Sequence, residues 1–408
     1  MNDELDVAVV GGGLSGLATA ALLSRQGRTV TVFEGSSRVG GAAQSPAMHG
    51  LPVNLGPHAL YLGGQAAKVL QGLGIQWSGH LPPMKGAQAW HRGRLVPLPT
   101  RPWALLATPL LDWSERLGLA RVLLPLMRSG QTGARADEPL DAWLDRTCPA
   151  AAVRQLVQAL FRLTTYANAP AVLSAAVACQ QLHLGVSKNV HYLPFAELVE
   201  ALRARAGPEI HTGRAVRKVL PGGRLVFDSE QRTARTVVLA VPLNTAAKLL
   251  EDPRLEQFRA TAVPTRAACL DLVLARLPDP AHRIALGIDD AVYASVHQDT
   301  AQGVVLQVAR YLAPGEEGRS ARAGLEQLLD AFQPGWRAQI LEQRFLPELT
   351  VNSAIPLAAN AGKGFGVRLG PGLYAAADWA SDGMLSDGGL QAAHEVASIE
   401  AASVRLSA

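Results

Sequence analysis

The sequence predicts an α/β chain in which a parallel sheet flanked by helices is interrupted by an inserted domain of helices plus a mixed sheet. Three observations carry this. The first stretch alternates strand, helix and strand: "DVAVV", an Ala/Leu-rich helix, then "TVTVFE". From about Trp90 to Leu184 the strand pattern fades, and pieces such as "WSERLGLARVLLPLMR" and "AAVRQLVQALFRL" space apolar residues by three and four between arginines. β-branched runs then return. "EIHTGRAVRKVL", "GRLVFD" and "TVVLAVP" resume the first domain, and "AACLDLVLAR" and "GVVLQVARYL" supply a second strand-rich block.

A chain of 408 residues, 48% hydrophobic and 18% charged, is globular and exceeds one ordinary core. The pattern shifts assign residues 1–89, 191–250 and 361–408 to three parts of the first domain. Residues 90–190 become a mostly helical cap, broken at Pro97, Pro99, Pro102, Pro109 and Pro125, and 251–360 become the sheet and helix of the substrate domain. The helix in that block is "GRSARAGLEQLLDAF", and the chain closes on a strand "GLYAAAD" and a helix from about Asp387 to Val404.

Charge excludes one partner class. The 38 basic residues nearly balance the 34 acidic ones, and no basic run carries interleaved aromatics, so no nucleic-acid partner is expected. The start "MNDELDVAVV" is acidic and enters a strand directly, unlike a signal peptide, which predicts a cytoplasmic protein. Cys148, Cys179 and Cys269 are widely spaced without a CxxC pattern, so reduced thiols and no metal are expected. His183 and His191 flank a loop but lack a third ligand at sensible spacing. Between Arg162 and Lys188 the chain has no charge, yet Asn168, Pro170, Gln180, Gln181 and His183 make it a pocket wall, not a membrane span.

The chemistry starts in the first βαβ unit. Gly11, Gly13 and Gly16 form G-x-G-x-x-G between a strand and a helix, the context this motif requires. The first glycine permits the tight turn, the second lets backbone approach a pyrophosphate, and the third lets helix pack on strand. The amides that follow, at Leu14 and Ser15, and the positive helix end then face the phosphates. Small Ala20 and Gly27 suit the close packing and sharp exit of that helix. Glu34 ends the second strand, before Gly35, and its carboxylate accepts from a ribose hydroxyl while repelling a 2′-phosphate. These residues point to NAD or FAD and not NADP.

"RVGG", Arg38 to Gly41, brings more amides to the pyrophosphate on the side where a flavin continues. With it the sequence resembles the FAD-binding amine oxidase and phytoene desaturase superfamily, whose amino-terminal pattern runs from the dinucleotide glycines through an acidic residue to a GG pair. "NLGPHAL" resembles that family's element beneath the isoalloxazine, which brings in Gly56, Pro57 and His58. "GRAVRKVL" is similar to the strand whose valine, here Val216, meets the adenine, and "VVLAVP" to the strand that closes the FAD domain. "GLYAAADWASDGMLSDGGLQAAHEVA" looks like the G-D-W element and final helix. The resemblance then implies that Asp378 bonds the ribityl chain or pyrophosphate, and that the helix opening near Asp387 and Gly388 aims its positive end at the flavin pyrimidine. Ala42 stands where the family often has arginine after the GG pair. "LPFAE" replaces a glycine pair, and Ala392 and Ala393 stand at the small-residue step of the last helix. No cysteine lies near the carboxyl end, so FAD is expected to be non-covalent.

The resemblance implies a Rossmann-like FAD-binding domain and an FAD-dependent oxidoreductase of oxidase or desaturase type, whose cofactor accepts the hydride. The strand after "AVP" offers Cys269 and Leu270 where many amine oxidases of the family carry lysine. Tyr374 and Trp379 are the only candidates for that family's aromatic cage. Candidate catalytic groups are His58, Tyr61 and Tyr192. "GPHALYLGG" and "LTTYANAPAVLSA" look most like bacterial relatives of phytoene dehydrogenase, and the apolar insertion would suit an isoprenoid or carotenoid-like substrate. Amine oxidase, porphyrinogen oxidase, a redox-neutral flavin-dependent isomerase and a non-catalytic flavoprotein stay open. No second G-x-G-x-x-G opens a helix, because "GKGFG" leads to "VRLGPG", so no nicotinamide domain is expected and dioxygen or a quinone would take the electrons. A transient, peripheral membrane contact through the insertion is a further expectation, with its arginines matched by Asp112, Glu115, Asp137 and Glu138.

Overall fold

The computed structural model describes residues 4–100, 108–130, 132–207 and 209–407. Pro102, among the expected breaks, lies outside the described residues. The apolar run of β1 (Leu5–Val10) puts it at the centre of an eight-stranded sheet, with Val7 to Val10 buried on both faces. It pairs in parallel with β2 (Val30–Phe33) on one side and with Gln231–Leu239 on the other. Ile210–His211 extends the sheet in parallel beyond β2, and Leu373–Ala375 does so beyond Gln231–Leu239. Helix α1 (Leu14–Arg25) lies against the closing helix Leu385–Ser407 and the helix Phe195–Ala206. Four separated stretches therefore share one core.

A second sheet has seven strands in the order Ile340–Asn352, Thr265–Leu274, Gly303–Leu312, Val292–Thr300, Ile284–Gly287, Gln88–His91, Arg94–Pro97. Only the join of Ile284–Gly287 to Gln88–His91 is parallel, so the sheet is mixed. Leu325, Leu328, Leu329 and Phe332 of the helix Ala321–Phe332 bury its apolar stripe in the core of this sheet.

The hairpin Gln88–Pro97 is strand where the sequence reading begins a helical cap. Arg92 and Gly93 take positive φ at its two-residue turn, and its partner strand lies almost two hundred residues on, beyond the reach of local periodicity. Four helices form the third layer: Trp113–Ser129, Leu140–Thr147, Ala151–Thr165 and Ala175–Ser187. Pro125 does not break the first of these, which runs on to a left-handed Gly130. Of the four acids expected to match arginines of the insertion, two do so. Asp112 and Glu115 form the capping box of the helix Trp113–Ser129, Asp137 pairs with Arg135, and Glu138 pairs with Arg146. Among the described residues no helix is long and apolar enough to cross a membrane. Cys148, Cys179 and Cys269 are buried free thiols.

Candidate functional site

The turn after β1 is built by steric necessity. Gly11 has φ of 108°, and a Cβ there would stand 2.3 Å from the Ala240 carbonyl oxygen. A Cβ at Gly16 would stand 2.0 Å from the Gly11 carbonyl oxygen and 3.1 Å from the Ala240 methyl. Gly13 caps α1 with extended backbone and no side-chain cap, so the first helical amides have no side-chain acceptor. The second glycine pair runs alongside, with Gly40 in positive φ and its N–H donating to the Gly12 carbonyl at 2.7 Å. Glu34 ties the two loops, accepting from the Gly12 and Ser36 amides at 2.7 Å each.

These loops open into a cavity of about 1150 Å³, above the size usual for a small-molecule pocket. Gly11, Gly13, Leu14, Ser15, Glu34 and Gly35 line one part. Gly40, Gly41, Pro57, His58, Val216 and Asp378 join the wall from four other stretches. Four other expected contacts do not line it. Gly16 serves helix-to-strand packing, Arg38 faces a smaller cavity beside Glu200 and Arg203, Gly56 packs on Cys269, and Gly388 packs on Gly383. Gly389 and Leu390 reach the wall in place of Gly388.

Of the three catalytic candidates only His58 lines the cavity. Its Nδ1 lies 3.0 Å from the Gly56 carbonyl, its ring meets Phe195 edge-on, and burial holds its pKa below the ordinary imidazole value. Tyr61 and Tyr192 are buried elsewhere, which corrects the expectation for both. The Tyr61 hydroxyl donates to the Thr164 carbonyl at 2.7 Å, while Tyr192 bonds the Tyr293 hydroxyl and stacks on His297 at 4.1 Å. The two candidates for an aromatic cage do not line the cavity either. Trp379 donates its indole N–H to the Val241 carbonyl at 2.9 Å, and Tyr374 lies in the sheet core.

Sequence reading missed Tyr166, which lines the cavity and donates its hydroxyl to the Pro57 carbonyl at 3.0 Å. Its signal was its place in the charge-free stretch. The Asp378 carboxylate accepts from the Ser353 and Trp379 amides, and burial raises its pKa despite them. Asp387 accepts from the Ala66 amide at 2.7 Å through Oδ1, its Oδ2 has no partner among the described residues, and burial raises its pKa to about 6. Beside it, Leu385 and Ser386 line the cavity, and the buried Ser386 hydroxyl has no partner among the described residues.

The loop beneath His58 was also partly hidden from sequence. Asn54 donates to the Leu193 carbonyl and accepts from the Phe195 amide, both at 2.9 Å. From the other side, Arg344 donates to the Asn54 carbonyl and to Asp271, both at 2.6 Å, and Gln307 donates to Asp271 at 2.7 Å. Asp271 is fully buried; desolvation raises its pKa against the opposing pull of Arg344. His183 and His191 bond Leu126 and Trp77 respectively, and no cluster among the described residues could hold a metal ion.

With this geometry in hand, a family model described as flavin containing amine oxidoreductase matches residues 14–268. A Mycobacterium tuberculosis protein that carries a flavin-containing monoamine oxidase name is 50% identical over 52 residues, 13% of this chain and 12% of its own length. Protoporphyrinogen oxidase 2 of Arabidopsis thaliana is 32% identical over 146 residues, 34% of this chain and 28% of the relative. The matches thus span less than a third of either relative. Among solved structures, an oxidoreductase from Methanosarcina mazei superimposes with a TM-score of 0.74 at 18% identity, covering 96% of this chain and 99% of that one. A putrescine oxidase superimposes with a TM-score of 0.75 at 16% identity, covering 98% and 99%. At such identities the likeness is one of fold.

Proposed function

Because this chain belongs to the flavin-containing amine oxidoreductase family and is an FAD-dependent oxidoreductase, we propose that it dehydrogenates an apolar small molecule of the isoprenoid or carotenoid-precursor kind. One observation carries the substrate class: the wall contributed by the second sheet and the helical layer. Tyr166, Ala267, Cys269, Leu349 and Val351 give that wall its apolar part, with Arg266, Glu348 and Thr350 between them, and among the described residues no lysine lines the cavity. Such a surface binds largely by excluding water, and the carboxylate it carries, Glu348, is already held by Arg266.

The residues present fit the cofactor. Gly11 and Gly16 close the turn so tightly that no Cβ fits, Gly13 borders open space on the cavity wall, and the first amides of α1 have no side-chain acceptor. In this reading Leu14 and Ser15 meet the pyrophosphate, Glu34 the adenosine ribose, Val216 the adenine and Asp378 the ribityl chain. FAD, held without a covalent bond, supplies the hydride acceptor. The chain's own part is positional and electrostatic. His58, neutral near pH 7, can take a proton at an imidazole nitrogen; the Gly56 carbonyl orients its ring, and Tyr166 fixes the Pro57 carbonyl next to it in the chain. The closing helix turns its amino end to the cavity at Leu385 and Ser386, where its partial positive charge favours an anion. Dioxygen or a quinone then removes the electrons, and a peripheral membrane contact lets the protein collect its apolar substrate.

A porphyrinogen substrate is the second reading, favoured by Arg259 and Arg266 in the wall. Each already faces a carboxylate, Glu256 and Glu348, which weakens their claim on propionates. The test is anaerobic bleaching of the flavin spectrum by carotenoid precursors, amines and porphyrinogens. Bleaching by a carotenoid precursor supports the proposal; bleaching only by an amine or a porphyrinogen overturns it. Flavin that stays with the denatured chain would overturn non-covalent binding.

A further inference from the structure

We propose that the outward face of the helix Trp113–Ser129 is a docking surface for an anionic lipid bilayer. The inference rests on the membrane-contact reading above and gives it a place and a headgroup charge. The helix buries Leu119, Val122 and Leu126 against the neighbouring helices of its layer. At 3.6 residues per turn, Trp113, Leu117 and Leu124 fall within an arc of about 40° on the opposite side. They are 66%, 60% and 59% exposed, and Met127 beside them is 45% exposed. Large apolar side chains are not normally aligned on an outward helix face, and such a cluster marks a surface that another phase covers.

The same face carries charge of one sign. Arg121 and Arg128 are exposed and have no hydrogen-bond or ion-pair partner among the described residues. The chain contains no Asp or Glu from Arg116 to Arg135, nor from Thr147 to Pro194. The neighbouring helix Ala175–Ser187 docks through the His183 ring on the Leu126 carbonyl and the Ser187 hydroxyl on the Met127 carbonyl. It thereby adds exposed Val186 and Lys188 at the carboxyl end of the face. Asp112 and Glu115 sit at the opposite end, engaged in the capping box.

Apolar side chains flanked by unpaired cations, with tryptophan at one end, match the acyl and headgroup layers of an anionic leaflet. A second copy fits worse, because a two-fold contact through this face would set Arg121 and Arg128 against their own images.

The experiment is co-sedimentation of the FAD-loaded protein with phosphatidylcholine vesicles, with and without phosphatidylglycerol. Binding is expected only with phosphatidylglycerol, and added salt should weaken it. R121Q/R128Q should lower partitioning on the order of fivefold per arginine, and L117S/L124S should abolish most of it. All four side chains face solvent, so both variants should keep the flavin spectrum and unfolding midpoint of the wild type. Wild-type protein that ignores phosphatidylglycerol vesicles, or variants that bind like wild type, would overturn the proposal. A dimer that L117S/L124S dissolves would assign the face to a second copy and overturn it as well. Bleaching by detergent-dispersed substrate does not use this face, so failure here leaves the redox reading standing.

Discussion

Asp387 makes the protein's stability depend on pH in a direction opposite to that of an ordinary paired carboxylate. It is 4% exposed, one oxygen accepts the Ala66 amide, and the other has no partner among the described residues. Burial raises its pKa from 3.8 to about 6, with the Ala66 bond and Lys68 pulling the other way. Below the lower value both folded and unfolded chains hold the proton, and the residue contributes no pH dependence. Between the two values the folded chain keeps a proton that the unfolded chain has shed, so this site's stability falls as pH rises. Above the upper value both are ionised, and the full penalty of about 3 kcal/mol is present. The positive end of the closing helix offsets part of it, leaving about 1–3 kcal/mol. D387N retains an oxygen for the Ala66 amide but cannot ionise. The assay is urea unfolding of both proteins in equal excess FAD, near pH 4 and near pH 8, with the stability difference compared between them. The variant should gain on the wild type by about 1–3 kcal/mol at the higher pH, whatever constant cost the amide adds. A difference that is equal at the two pH values, or moves the other way, refutes the assignment of a buried, reluctant carboxylate.

Other substitutions probe the cofactor cradle and the loop beneath His58. G16A places a methyl 2.0 Å from the Gly11 carbonyl oxygen. It should cost about 1–3 kcal/mol by forcing helix from strand, and purified protein should lose most of its flavin absorbance. E34Q removes the charge that holds the Gly12 and Ser36 amides; a fluorescence titration should show FAD binding weaker by about tenfold to a hundredfold. D271A strands the Arg344 guanidinium beside the Asn54 carbonyl and should cost about 3–5 kcal/mol in urea unfolding, while D271A combined with R344M recovers much of the loss.

The glycines and Glu34 could be read from sequence because strand, turn, helix and second strand follow one another within about thirty residues, although Ala240, far along the chain, also closes on Gly11 and Gly16. Asp378 was within reach through its resemblance to a motif, although the wall it joins is assembled by Gln231–Leu239 standing between β1 and Leu373–Ala375. What stayed hidden depends on pairs far apart in the chain. The hairpin Gln88–Pro97 reads as the start of a helical cap until its partner strand, Ile284–Gly287, is known. Tyr61 and Tyr192 looked available because a tyrosine near a cofactor loop can point either way, and the Thr164 carbonyl and the Tyr293 hydroxyl hold both away from the cavity. Spacing that identifies an outward helix face cannot say which cations on it will be paired, and Arg121 and Arg128 stay single because the nearby acids cap the helix or bind Arg135 and Arg146.

The segment Asn54–His58 joins what the two sheets supply. Asn54 is bonded to the start of the helix Phe195–Ala206, which packs on α1 and therefore moves with the glycine turn. Arg344 and Gln307, both on strands of the second sheet, grip the Asn54 carbonyl from the other side. Asp271 holds those two donors in register from the strand between them. A rearrangement of the second sheet around a substrate would therefore be felt at Pro57 and His58 before it reached the glycines. The buried carboxylate at Asp271 is then better understood as fixing the cavity floor relative to the cofactor turn than as adding stability, since an apolar replacement of the whole pair would cost little.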